Sequence, residues 1–282
     1  MKFKLFLLFV TIFILSCTDE SSDSAAAENN ANDFFPSDTN NYWKYIVSSS
    51  SEELPDMDFT ALDSVYVAES FDNAISLAAN DGSSANGRMN MILTSGNLYK
   101  TNNTLELDGS LDLSENFSAL GLAENFSLTN LTLYDLEASN ESIMFTESGT
   151  FSNSIPIQDT EVPVDINFEI QTKKLNFYDS KTINQINYSN VFEGELALSL
   201  GANTTISLLG FPQTVAFLDP QNILSVKYYF AESIGMVNAQ ASQGFTLSDE
   251  FLNLLNLANI PLEITPSFNN SSSEVLSDYV LE

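Results

Sequence analysis

The chain has 282 residues, 38 of them acidic and 9 basic, giving a net charge of −29, and it contains no histidine. Such a surface repels nucleic acid and anionic lipid headgroups, and a chain without histidine lacks the commonest general base and the commonest transition-metal ligand. An apolar fraction of 44% with 21 phenylalanines excludes general disorder and suffices for a sizeable core.

The first residues, MKFKLFLLFVTIFILSC, place Lys2 and Lys4 ahead of an apolar run from Leu5 to Ile14 interrupted only by Thr11. This run is short for a membrane span, which needs about 20 residues. A basic start, a short apolar core and a small residue before Cys17 read instead as an export signal. Leu15-Ser16-Cys17 resembles a bacterial lipobox, and the resemblance implies transfer of diacylglycerol to Cys17, the only cysteine in the chain. Two acyl chains give stable anchoring, each buried CH₂ contributing about 0.8 kcal/mol. The expected division is a signal peptide over 1–16, a lipidated tether over 17–33 and a β-rich envelope domain over 34–282. Without its signal the chain keeps 7 basic against 38 acidic residues, a net charge of −31.

Thr18 to Asp33, TDESSDSAAAENNAND, is small, polar and acidic, and is expected to be a flexible tether. Asp19 and Glu20, just behind Cys17, resemble the signal that sends Bacteroidota-type lipoproteins to the outer face of the outer membrane. Phe34-Phe35-Pro36 and Asn41-Tyr42-Trp43-Lys44-Tyr45 follow. They resemble the opening of a broad group of Bacteroidota outer-membrane lipoproteins of unknown function, which start with an aromatic-Pro segment and an Asn-x-Trp-x-Tyr strand. Tyr228 to Val237, YYFAESIGMV, resembles the Tyr-x-Ala-x-Gly-Ile-Gly-x-Val segment of the same group, with Ser233 where the first glycine stands. The resemblance covers these two short pieces. It implies a β-rich envelope lipoprotein and carries no activity with it.

Between the two pieces the apolar residues recur at every second position, the pattern of half-buried antiparallel strands. Leu105, Leu107, Gly109, Leu111 and Leu113 share one face; so do Val162, Val164, Ile166, Phe168 and Ile170. The longest set is Ile186, Tyr188, Phe192, Gly194, Leu196, Leu198 and Leu200. Turn residues punctuate the pattern: Asn80-Asp81-Gly82 and Asn86-Gly87 before Arg88–Thr94, Ser95-Gly96-Asn97 after it, Gly201-Ala202-Asn203 ahead of a strand over Thr204–Leu209, and Asp219-Pro220 as a break before Ile223–Ala231. One helix is expected. Ser248 caps it, Asp249 and Glu250 suit its N-terminal dipole, Phe251, Leu254, Leu255 and Ala258 form its apolar face, and Pro261 stops it. Ser273 to Glu282 is expected to return as a strand through Val275, Tyr279 and Leu281. The expected fold is all-β and mainly antiparallel: a large curved sheet, a sandwich or a partly open barrel with one C-terminal amphipathic helix. Acids on the outward strand faces argue against an integral membrane barrel.

Candidate chemistry is sparse. A Ser-His-Asp or Cys-His arrangement is impossible here, and no catalytic residue, cofactor or metal ligand is assigned. Glu52, Glu53, Asp56 and Asp58 gather oxygen ligands of the kind Ca²⁺ takes, but the six to eight ligands it needs are not spaced as a calcium loop, so a solvated acidic loop is expected. Tyr42, Trp43 and Tyr45, or Tyr228, Tyr229 and Phe230, offer a sugar-stacking platform, weighed against ordinary packing of alternate aromatics in the core. Asp23-Ser24-Ala25 and Asp63-Ser64-Val65 resemble the Asp-Ser/Thr-apolar acceptor of O-glycosylation in Bacteroidota envelope proteins. The leading expectation is a non-catalytic binding or scaffolding lipoprotein, held to the membrane through Cys17, with an envelope protein or glycan as partner. A carrier of an apolar ligand in a curved-sheet cavity and a carboxylate-dependent glycan hydrolase are the alternatives.

Overall fold

The computed structural model describes residues 33–51, 58–71, 74–113, 117, 125–157, 160–208, 211–258, 260–261 and 264–282. Residues Asn32–Glu282 form one compact unit. Its strands are β1 (Tyr42–Ser50), β2 (Phe59–Phe71), β3 (Ala74–Ala79), β4 (Asn97–Lys100), β5 (Thr104–Asp112), β6 (Asn125–Asp135), β7 (Ile143–Ile157), β8 (Thr160–Ile183), β9 (Ile186–Leu208), β10 (Phe211–Ala231), β11 (Gly235–Thr246) and β12 (Ser267–Val280). All twelve join in one antiparallel sheet in the order 6-5-4-3-2-1-12-11-10-9-8-7, curled into a nearly closed barrel. Every neighbour is consecutive in the chain except β1 and β12. The two edges, β6 and β7, face each other across the seam. Side chains fasten it: the Tyr228 hydroxyl of β10 donates to the Leu133 carbonyl of β6 at 2.6 Å, and the Thr172 hydroxyl of β8 donates to Thr132 at 2.6 Å. Lys174 Nζ donates to the Leu136 carbonyl at 2.8 Å. Burial lowers the Lys174 pKa against the opposing pull of Asp135.

The alternation read from the sequence selects the inner face. Leu105, Leu107, Leu111, Val164, Ile166, Ile170, Phe192, Leu196, Leu198 and Leu200 are all buried, while Glu169, Glu195 and Asn203 stand on the other side. Apolar inside and polar outside is the reverse of a membrane barrel. Among the described residues no helix is long and apolar enough to cross a membrane.

One end of the barrel is stopped by aromatic rings. Phe34 packs between Tyr134 and Phe177 with centroids 6.0 and 5.9 Å away, and Phe35 lies 5.4 Å from Trp43 and 6.0 Å from Phe230. Lys100 holds this entering segment through the Asp33 carboxylate at 3.0 Å and the Phe35 carbonyl at 2.9 Å. The two pieces of sequence quoted for the lipoprotein resemblance meet here: Trp43 Nε1 donates to the Ile234 carbonyl at 2.6 Å and the Tyr45 hydroxyl to Met236 at 2.9 Å. Ser233 takes a φ of 60° and Gly235 a φ of 102°, the left-handed region that favours glycine.

Several sequence expectations are corrected. Gly201-Ala202-Asn203 does not separate two strands; β9 runs through it to Leu208. Asp219-Pro220 does not end a strand either, because β10 is continuous from Phe211 to Ala231 and the pair is a bulge opposite Gly201. A Cβ on Gly201 would come 3.1 Å from Pro220 Cγ, so the glycine and the proline accommodate one another across the ladder. Arg88–Leu93, which the sequence left without an element type, is a short helix, α1. The late helix, α2 (Asp249–Ala258), is capped as expected, with Phe251 N–H donating to Ser248 Oγ at 3.1 Å, and Phe251 meets Phe217 of β10 edge-on at 5.0 Å. Ala258 is exposed rather than on the apolar face. The terminal strand starts at Ser267 and turns Phe268, Glu274 and Leu276 inward, so Val275, opposite the exposed Ile46, faces out; a bulge after Leu276 then sets Tyr279 opposite the buried Trp43, and Leu281 packs against the core as expected.

Candidate functional site

After β3 the chain leaves the sheet and enters the barrel. Asn80, Asp81 and Gly82 take φ values of 50°, 57° and 92° in succession, a left-handed run that turns the backbone toward α1. Met89 and Asn90 of α1 have no exposed surface, and Ile92 and Leu93 have almost none. A six-residue helix has little stability of its own, and two buried carboxylates hold its start. Asp63 of β2 accepts from the Asn86 and Gly87 backbone N–H groups, each at 2.8 Å. It also accepts from the amides of Asn80 at 2.9 Å, Asn86 at 2.7 Å and Asn90 at 3.1 Å. Glu274 of β12 accepts from Met89 N–H at 2.6 Å and Asn90 N–H at 2.9 Å. Each carboxylate is 1% exposed.

Their titrations diverge for a physical reason. Burial opposes the Asp63 charge, but the hydrogen bonds from Asn80, Asn86 and Gly87 outweigh it and hold the carboxyl below its ordinary range. At Glu274 burial wins over the two helix N–H groups; with the Asp63 charge nearby, it pushes the carboxyl up to about 7. Gly87 lets the helix approach this closely: a Cβ there would lie 2.3 Å from Glu274 Cδ.

Beyond α1, at the end opposite the aromatic plug, lies a cavity of about 580 Å³, within the range of about 300–1,000 Å³ usual for small-molecule sites. Its wall is a polar belt on the inner face of adjacent strands. Ser49 of β1, Asn270 and Ser272 of β12 and Gln243 of β11 stand side by side, with Gln243 and Asn270 directly paired in the ladder. Ser49 Oγ donates to Asn270 Oδ1 at 3.0 Å. Gln243 is 5% exposed, and its amide nitrogen has no hydrogen-bond partner among the described residues. Phe59, opposite Ser49 in the β1–β2 register, is 43% exposed at the rim. Arg88, the only arginine in the chain, lies in the wall and donates from Nη1 to the Asp112 carbonyl at 3.2 Å. A second cavity of about 360 Å³ shares Arg88, Met91 and Asp112 and is bounded also by Leu77, Ile92 and Leu111.

The residues singled out in the sequence fall elsewhere. Trp43, Tyr45, Tyr228 and Phe230 are buried in the core, which is the packing alternative to a stacking platform. Tyr229 faces outward and donates to Glu193 at 2.8 Å, as does Tyr178 at 2.6 Å, with Lys181 3.6 Å and Lys227 3.9 Å from the same carboxylate. Burial opposes the Glu193 charge, while those hydroxyls and then the lysines hold its pKa down. Ser64 is half-buried within β2. Cys17, the tether through Asn32, Ser24, Glu52, Glu53 and Asp56 lie outside the described residues; Asp58 accepts from Ser51 N–H at 2.8 Å. Among the described residues no group of three or more histidine, cysteine, aspartate or glutamate side chains is placed to hold a metal.

Sequence reading gave Arg88, Gln243, Asn270 and Glu274 no role and Asp63 only a place in an acceptor motif. The available signal was parity. Asp63 alternates with the buried Val65 and Val67, and Glu274 with Phe268 and Leu276, so both acids occupy inward positions. Comparison of the chain with protein-family models, curated proteins and solved structures gives no match.

Proposed function

We propose that this chain is an outer-membrane lipoprotein, anchored through acylated Cys17, whose barrel binds a small ligand at the end opposite its aromatic plug. The lipobox-like Leu15-Ser16-Cys17, the acidic tether and Asp19-Glu20 support the anchor and an orientation toward the cell surface. Binding rests on one observation: a polar cavity of about 580 Å³ in which a buried glutamine amide lacks a partner. Buried polar groups are ordinarily paired, so an unpaired one in a cavity wall suits a ligand that completes it. The role is binding or scaffolding without turnover, a reading supported by Asp63 and Glu274, whose carboxylates are occupied by the N–H groups of Asn86 and Gly87 just before α1 and of Met89 and Asn90 within it. A carrier role for an apolar ligand is favoured only by the smaller cavity, where Leu77, Ile92 and Leu111 form part of the wall.

The anchor is tested by labelled palmitate in cells expressing the wild type or Cys17→Ala, together with protease shaving of intact cells. Label in the wild type alone, with loss of the protein on shaving, is expected. Label in neither refutes the anchor, and protection from protease refutes the surface orientation. Native mass spectrometry of the purified chain separates a carrier, with co-purified lipid, from a protein that arrives empty.

A further inference from the structure

We infer that the polar cavity takes a neutral, hydroxyl-rich ligand of the saccharide class; this rests on the binding reading above and specifies it. The wall offers both hydrogen-bonding senses in planar side chains. Asn86, Gln243 and Asn270 each carry an amide donor and an amide acceptor, of which Asn86 Nδ2 already serves Asp63 and Asn270 Oδ1 already accepts from Ser49, and Ser272 adds a hydroxyl that both donates and accepts. A sugar hydroxyl donates and accepts in the same way, so a ring bearing several of them satisfies such a wall. A purely apolar ligand would leave the Gln243 amide unpaired and dry, the less favourable arrangement.

Charge selects the same class. Arg88 and Asp112 place one charge of each sign on the wall, leaving no net demand for an ion. An anionic ligand would approach against the field of a chain carrying −31, and a cation would meet the one arginine. The rim contributes Phe59, 43% exposed on the inward side of β2 at the level of Ser49. An exposed ring beside a belt of amides offers an apolar surface to the C–H face of a pyranose, while the amides take its hydroxyls.

The experiment uses the full-length chain in micelles of a detergent without a sugar head group. Saturation-transfer NMR is run with glucose, galactose, mannose, N-acetylglucosamine and maltose, and separately with glucuronate, glucosamine and decanoate. Saturable transfer to at least one neutral saccharide is expected. Gln243→Leu and Phe59→Ala should each weaken it about tenfold, as loss of one hydrogen bond or one packing surface does. Ser242→Ala, on the outer face of β11, should leave it unchanged. A melting curve of each variant shows that it is folded; if Gln243→Leu is not, the rim variant Phe59→Ala carries the test. Transfer only to glucuronate, glucosamine or decanoate, lost in the same variants, overturns the saccharide class and leaves a binding protein standing. Neutral-saccharide binding untouched by both variants overturns the site. Transfer to none of the eight compounds overturns the inference and the binding reading together.

Discussion

Replacing Glu274 with glutamine removes a buried carboxyl whose titration in the folded chain falls near neutral pH. Its pKa rises from an ordinary 4.5 to about 7 through burial, against the two N–H groups of α1. Between those values the folded chain holds the Glu274 proton and the unfolded chain has lost it. Stability therefore falls as pH rises through the window and levels off above about 7. At 1.36 kcal/mol per pKa unit the loss is about 3 kcal/mol. With no histidine in the chain, no other side chain has its ordinary pKa inside that window. Urea unfolding at pH 5 and pH 8, followed by the fluorescence of Trp43, the only tryptophan and itself 1% exposed, measures the difference. Wild type should be about 2 kcal/mol less stable at pH 8 than at pH 5, since pH 5 already lies inside the window, and Glu274→Gln should show little of that difference. A Glu274→Gln variant that loses as much as wild type between the two pH values, or a wild type with no loss, refutes the reasoning.

Asp63→Ala should cost about 2–6 kcal/mol in urea unfolding, because it strands the Asn86 and Gly87 N–H groups that its carboxylate serves, at about 1–3 kcal/mol each. Since the Asp63 pKa is lowered on folding, its contribution is present above the ordinary value of 3.8 and is lost as pH falls through the folded value, so acid unfolding of wild type should begin there and that of Asp63→Ala should lack this component. Gly87→Ala forces a methyl against Glu274 Cδ and should lower the urea midpoint, yet be nearly neutral in a Glu274→Ala background where that side chain is gone. Phe34→Ala opens the plugged end and should lower stability by about 3–5 kcal/mol, read as a fall in melting temperature.

Long stretches of the fold were legible because period-two alternation has no competitor in them. Leu105 to Leu113, Val162 to Ile170 and Phe192 to Leu200 face the barrel interior as the pattern required, whereas Ile186, at the tip of the β8–β9 hairpin, is 51% exposed. Turn chemistry misled where a bulge uses the same residues as a turn. Gly201 and Pro220 look like chain reversals in isolation, and only their mutual packing across β9 and β10 reveals one kinked ladder. The terminal strand misled in part for a different reason: its inward face holds Asn270 and Glu274, and a bulge after Leu276 changes parity, so the pattern that places Tyr279 and Leu281 correctly puts Val275 on the wrong face. The candidate site was least legible, since Arg88, Gln243 and Asn270 carry no motif and come together only through the pairing of β1, β11 and β12 around an inserted helix. Strand order, which no local pattern encodes, decides that meeting.

The one pairing that joins non-consecutive strands has a consequence for how the chain is assembled. β1 to β6 and β7 to β12 are each a run of neighbouring hairpins, formed over short sequence distances. The ladder Tyr42↔Val280 through Ser50↔Ser271, with Glu282 N–H donating to Asn41 Oδ1 at 2.8 Å, closes a loop of more than two hundred residues. Contacts of such separation are the slow ones in folding. On a ribosome β1 waits with an open edge until the last strand has been made. Both halves then meet along a β1–β12 interface whose inner side already needs Glu274 to receive α1. Final closure and burial of that acid are therefore a single late event, and the exposed β1 edge before it is where misassembly between neighbouring copies would begin.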